Sequence, residues 1–157
     1  LKELMMSVKP LLICLLLSAP AAFADGLSCR ESPKPTGNPE IDPLVVRYEC
    51  RYTGSLKQAY AAFMKQGYDG KAPYPKTIPA VLPKKNLTLR GEKTEDCGNT
   101  VNEQPETLEW SFKLRYQNTN RIDMKYREVD CGSGVSYDTE FVKSGKRVLI
   151  VHKYYHS

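Results

Sequence analysis

Six polar residues toward the end of this chain have the types that acid–base and phosphate chemistry require. His152 and His156 are of the residue type whose unperturbed pKa lies near neutrality. Glu109 and Glu128 could exchange protons with them, and Arg115 and Arg127 could hold a phosphate. Together they would suit cleavage of a phosphodiester, with His152 and Glu128 as the acid–base pair. The histidines lie four apart on what reads as a strand, about 13 Å by strand rise, too far to share one metal. A strand end that happens to contain histidine is the plainer reading of the pair. Ser133, within Gly132-Ser133-Gly134-Val135, has hairpin-turn chemistry rather than that of a nucleophile elbow. No helix follows these glycines, so they form no phosphate loop.

The cysteines point away from catalysis as well. Cys14 falls in a short apolar run, which leaves Cys29, Cys50, Cys97 and Cys131, an even number with no CxxC and only two histidines to join them. Neither a zinc site nor any other metal or cofactor is expected. Two disulfides are expected, with three possible connectivities. Cys97 with Cys131 is favoured, because Cys131 ends one strand near where its neighbour begins and Cys97 lies in the loop leading there. Cys29 with Cys50 follows by elimination. A fully paired set leaves no cysteine nucleophile.

Residues 1–24 read as a cleaved signal peptide: Lys2 and Lys9 begin it, Leu11 to Leu17 form its apolar core, and Ala22-Phe23-Ala24 is a small-x-small cleavage site. A periplasmic or secreted bacterial protein is expected, in agreement with the disulfides. The formal net charge is +5, and removing Lys2, Lys9 and Glu3 lowers it by one. That excess suits an acidic partner and falls short of a dense nucleic-acid-binding tract, so nucleic acid is not the expected partner. No later stretch is long and apolar enough to span a membrane.

The elements that must position these residues form a strand, a helix and a meander. Residues 25–43 are rich in Pro, Gly and Asn and read as an extended lead-in, and 44–157 as one α+β domain. Leu44, Val46, Tyr48, Cys50 and Tyr52 alternate with Val45, Arg47, Glu49 and Arg51, which predicts a strand. Ser55 to Gln58 is a capping box. Leu56, Ala59, Tyr60, Phe63 and Met64 then recur at helical spacing until Gly67. From Leu108 to His156 four alternating segments are separated by turn residues, predicting an antiparallel meander. Asn86 to Arg90 suggests a further short strand, followed by a polar loop over 91–105. One helix packed on a curved antiparallel sheet resembles the cystatin-like or NTF2-like layout, although the Gln-x-Val-x-Gly motif of cystatins is absent. Small microbial ribonucleases resemble this layout too, and that resemblance implies Glu109, Arg115, Arg127, Glu128 and His152 as their sheet-face set. An NTF2-like pocket for a small apolar ligand would draw on Tyr60, Phe63, Trp110 and Phe112.

Between helix and meander, residues 71–85 hold four prolines and four lysines, a composition that favours an extended, stiff crossover. Tyr74 and Ile78 interleave with Lys76, and Lys84 and Lys85 follow. Rigid apolar anchors beside cations suit the acidic cleft of another protein, since a stiff segment loses little entropy on docking. With no catalytic centre in view, the expectation is a binding protein, an inhibitor or immunity-type partner of a toxin or hydrolase. A small secreted ribonuclease is the alternative.

Overall fold

A computed structural model describes residues 26–32, 45–98 and 105–156. The signal segment, most of the lead-in and the side chain of His156 lie outside the described residues. Seven strands make one antiparallel sheet: β1 (Ser28–Glu31), β2 (Val45–Thr53), β3 (Leu87–Glu95), β4 (Glu106–Asn118), β5 (Arg121–Asp130), β6 (Ser133–Ser144) and β7 (Arg147–His156). Their spatial order is β1-β2-β7-β6-β5-β4-β3. Chain neighbours from β3 to β7 are joined by hairpins, and β2 closes onto β7 with Cys50 opposite Ile150.

The helix, α1 (Leu56–Gln66), forms where the capping box places it. The Ser55 hydroxyl accepts from the Gln58 amide, and the Gln58 side chain accepts in return from the Ser55 amide. Gly67 ends it at φ +51°, where a Cβ would come within 2.4 Å of the Lys71 carbonyl oxygen, so only glycine fits. The expected stripe of Leu56, Ala59, Tyr60, Phe63 and Met64 is the buried one. It crosses the middle of the sheet, with Phe63 edge-on to Phe141 of β6. Fully burying each large apolar side chain here contributes about 1.5–3 kcal/mol.

Strand alternation assigns two faces. Toward the helix point Cys50, Ile150, Phe141 and Ile122, and in the next register row His152, Thr139, Met124 and Leu114, all buried. Both disulfides form with the favoured connectivity. Cys29–Cys50 staples two directly opposed strand positions, and Cys97–Cys131 ties the chain after β3 to the turn after β5. The loops they close, 21 and 34 residues apart in sequence, are worth about 3–4 kcal/mol each in the chain-entropy model.

Three expectations need correction. The lead-in contains a strand, β1, paired along its length with β2. The short strand expected at 86–90 runs on to Glu95, through residues that read as loop. The turn after β5 is shorter than Gly132 to Gly134, because β6 already begins at Ser133 and Gly132 alone takes the positive φ.

Candidate binding face of the sheet

The proline-rich crossover binds its own sheet first. Tyr74 and Ile78 are only 6% and 3% exposed. The Tyr74 hydroxyl lies 2.6 Å from Thr139 Oγ1, and its ring meets Phe112, Tyr126 and Tyr137 edge-on. Two more tyrosine hydroxyls fasten the segment: Tyr60 donates to the Pro79 carbonyl at 2.6 Å, and Tyr116 donates to the Pro83 carbonyl. Tyr74 and Ile78, expected as anchors on a partner, face inward instead. Proline carbonyls and a tyrosine hydroxyl need buried partners once the segment crosses an apolar face, and the core supplies them. Lys76, Lys84 and Lys85 remain exposed.

His152 sits at the centre of this packing, fully buried. Its Nδ1 lies 2.7 Å from Thr139 Oγ1, which extends the chain of hydrogen bonds to Tyr74, while Nε2 has no partner among the described residues. Tyr68 and Tyr137 stack on the imidazole at 5.3 and 5.4 Å. Burial drives its pKa down to about 4, against a weaker opposing pull from Asp138, so the ring is neutral at pH 7. The phosphodiester-cleaving set is therefore split by the sheet. Glu109, Arg115 and Arg127 point to the open face, whereas Glu128 and His152 point to the helix side. Glu128 is engaged there by Lys93 and by the Tyr126 hydroxyl. The Lys93 pKa is raised by these hydrogen bonds to Glu128 and Glu95. Tyr60, Phe63 and Phe112, offered as a ligand pocket, are closely packed core side chains with no exposure. No group of three or more metal-ligating side chains occurs among the described residues.

The open face is where unsatisfied chemistry collects. Arg47, Lys153, Asp138, Lys125, Lys113 and Thr88 form one continuous register row across six strands. Several charges on this face are matched: Arg127 with Asp138 at 2.9 Å, although without hydrogen-bond alignment, and Arg121 with Asp123 and Glu140. Lys113 and Lys125, however, stand directly opposite one another. Neither makes an ion pair with a described residue, and the same is true of nearby Arg90 and Arg115. Like charges opposed on neighbouring strands are destabilising. Asn86 Oδ1 accepts from the Tyr116 amide at 2.8 Å, which brings the exposed Lys84-Lys85 pair to the Arg115 corner of the same sheet.

A groove of about 800 Å³ crosses this region, lined by Arg90, Ser111, Lys113, Arg127 and Ser136, with the opposed Glu92 and Glu109 among its further walls. A smaller one of about 150 Å³ lies beside it, between Lys125, Asp138 and Lys153. Cations, hydroxyls and a few carboxylates on a rigid floor can hold anionic side chains by charge-assisted hydrogen bonds. Alternation in the sequence marks these residues as outward-facing. It does not reveal which cations lack a carboxylate, because the partners come from other strands.

Against known proteins, the chain matches no family model, no curated protein and no solved structure. The two disulfides fit an oxidising compartment. No helix among the described residues is long and apolar enough to cross a membrane.

Proposed function

We propose that the protein is an exported binding protein of the inhibitor or immunity type, which neutralises a toxin or hydrolase by laying its open sheet face against an acidic surface of that enzyme. The observation that carries this reading is the opposed like-charge couple Lys113–Lys125, which makes no ion pair with a described residue and is flanked by Arg115, Lys84 and Lys85. An acidic partner relieves the repulsion that the free protein bears, so complementary charge both steers the encounter and fixes its orientation. Two disulfides and a crossover already fastened to the core leave little to be ordered on binding, which favours affinity. The opposed Glu92–Glu109 pair at one end of the groove argues for protein over nucleic acid, because a phosphate backbone would be repelled there. The crossover contributes Lys84 and Lys85 at the rim, and Tyr74 and Ile78 act by holding that rim in place.

Affinity capture from periplasmic extract tests this, with the oxidised chain from Asp25 and its K113E/K125E variant as parallel baits. The expected result is one stoichiometric enzyme or toxin held by the first and lost by the second. Equal retention by both baits, or recovery of RNA alone, would overturn the assignment of this face.

A further inference from the structure

The two edges of the sheet are unlike. β1 is four residues long and stapled by Cys29–Cys50, a short edge of the kind that discourages strand addition. β3 presents nine residues, and among the described residues no strand and no backbone hydrogen bond occupies its outer side. Charged residues on an edge ordinarily repel a second strand. In β3, their order does the reverse when the second strand is another copy of β3.

Read antiparallel about Gly91, the open-face positions of Leu87-Thr88-Leu89-Arg90-Gly91-Glu92-Lys93-Thr94-Glu95 complement one another, while on the helix side Leu87 meets Glu95 and Leu89 meets Lys93. Arg90 falls opposite Glu92 of the other copy, Glu92 opposite its Arg90, and Thr88 opposite its Thr94, all on the open face. Opposite charges and threonine pairs are favourable cross-strand neighbours. The monomer leaves these charges unmet: Arg90 lies across from Ser111 with no carboxylate, and Glu92 lies across from Glu109. The register is also specified. Moving the axis by one residue while keeping both helices on the same side of the joined sheet would oppose Arg90 to Arg90, or Glu92 to Glu92. At the axis itself Gly91 has no side chain, and the Trp110 ring takes that space, since a Cβ there would come within 2.5 Å of it. The sole tryptophan of each copy is thereby brought to the two-fold axis.

We propose that the protein forms a two-fold symmetric dimer by antiparallel pairing of β3 with β3 of a second copy, centred on Gly91 and selected by the reciprocal Arg90–Glu92 pairs. The interface is isologous and closes on itself, so association stops at two. It leaves Lys113 and Lys125 free on both copies and does not depend on the binding role assigned to them.

Sedimentation equilibrium of the oxidised full chain, followed in parallel by Trp110 fluorescence, tests the pairing. The wild type is expected to show a concentration-dependent dimer, with a change in Trp110 emission along the same curve. R90E and E92R are each expected to weaken association about tenfold or more, because each puts like charges at two symmetric contacts. An equimolar mixture of R90E and E92R is expected to recover the dimer, since the two variants complement one another at both contacts, and the double variant R90E/E92R recovers it alone. A wild type that stays monomeric up to about 1 mM would overturn the proposal. So would single variants that associate as wild type does, or a mixture that fails to recover.

Discussion

Two neighbouring register rows of the sheet show how differently one set of strands can be used. Tyr48, His152, Thr139, Met124, Leu114 and Leu87 run across the helix side, where even the histidine and the threonine are buried and hydrogen-bonded to each other. One residue away on every strand, Arg47, Lys153, Asp138, Lys125, Lys113 and Thr88 face the opposite way, and Lys113 and Lys125 stand opposed with no ion pair to a described residue, although Asp138 lies across from Lys125 on its other side. The first row excludes water and satisfies almost every polar atom it holds, so it acts through stability. The second retains an electrostatic penalty that packing does not require. A fold gains nothing from such a penalty by itself, which makes the second row the place to look for a partner.

The sharpest contrast comes from one substitution on each face. Phe63→Ala removes a ring with no exposure from between helix and β6, and is expected to lower unfolding free energy by about 3–5 kcal/mol. Lys113→Glu on the open face should not lower it, and should raise it by about 0.2–1 kcal/mol, because the introduced carboxylate would face Lys125. Denaturant titration of both variants checks the pair, and comparable losses would mean that the open face is also structural.

The pH dependence of stability probes the buried row alone. His152 has a folded pKa near 4 against an ordinary value of 6.5. Between those values the unfolded chain binds the proton and the folded chain does not. Stability from this group is therefore complete above pH 6.5 and lost as pH falls toward 4, by roughly 3 kcal/mol in total. Denaturant midpoints measured across that range should fall with acidification, and H152Q should flatten the slope. An unchanged slope in H152Q would place the titrating group elsewhere.

Smaller effects sharpen the role of the crossover. Tyr74→Phe keeps the ring and removes the hydroxyl that meets Thr139, and should cost about 1 kcal/mol. Partner binding should be unaffected by that change, because Tyr74 faces the core. Ser55→Ala, which removes the N-cap of α1, should likewise cost about 1 kcal/mol without altering the open face.

Much of this organisation is legible in the sequence, and the failures have physical causes. The helix could be bounded by Ser55, Gln58 and Gly67, because capping and positive φ are local requirements. Strands β2, β4, β5 and β6 announce themselves by alternation, whereas both sets of β7 are mixed. β3 is hidden beyond Arg90 because its three helix-side positions there, Gly91, Lys93 and Glu95, break the apolar pattern. Gly91 makes room for the Trp110 ring, and Lys93 is neutralised by Glu128 and Glu95. β1 is too short for a period to show. Residues 71–85 have no period at all, so nothing local indicates that Tyr74 and Ile78 turn inward toward β6, as much as 65 residues along the chain. The candidate site is half legible for the same reason. Outward lysines can be picked out one by one, but which of them oppose each other, as Lys113 and Lys125 do, is a property of the assembled sheet.

The division of labour between the faces is tested most directly by two readouts on one protein, K113E/K125E: affinity for the partner captured by the wild type, and unfolding free energy on the same preparation. Binding is predicted to fall by at least about a hundredfold, as expected for reversing two opposed interface charges, with stability lowered by no more than about 1 kcal/mol, the cost of setting a second carboxylate across from Asp138. Undiminished binding, or a loss of binding that follows an equal loss of stability, would contradict the account.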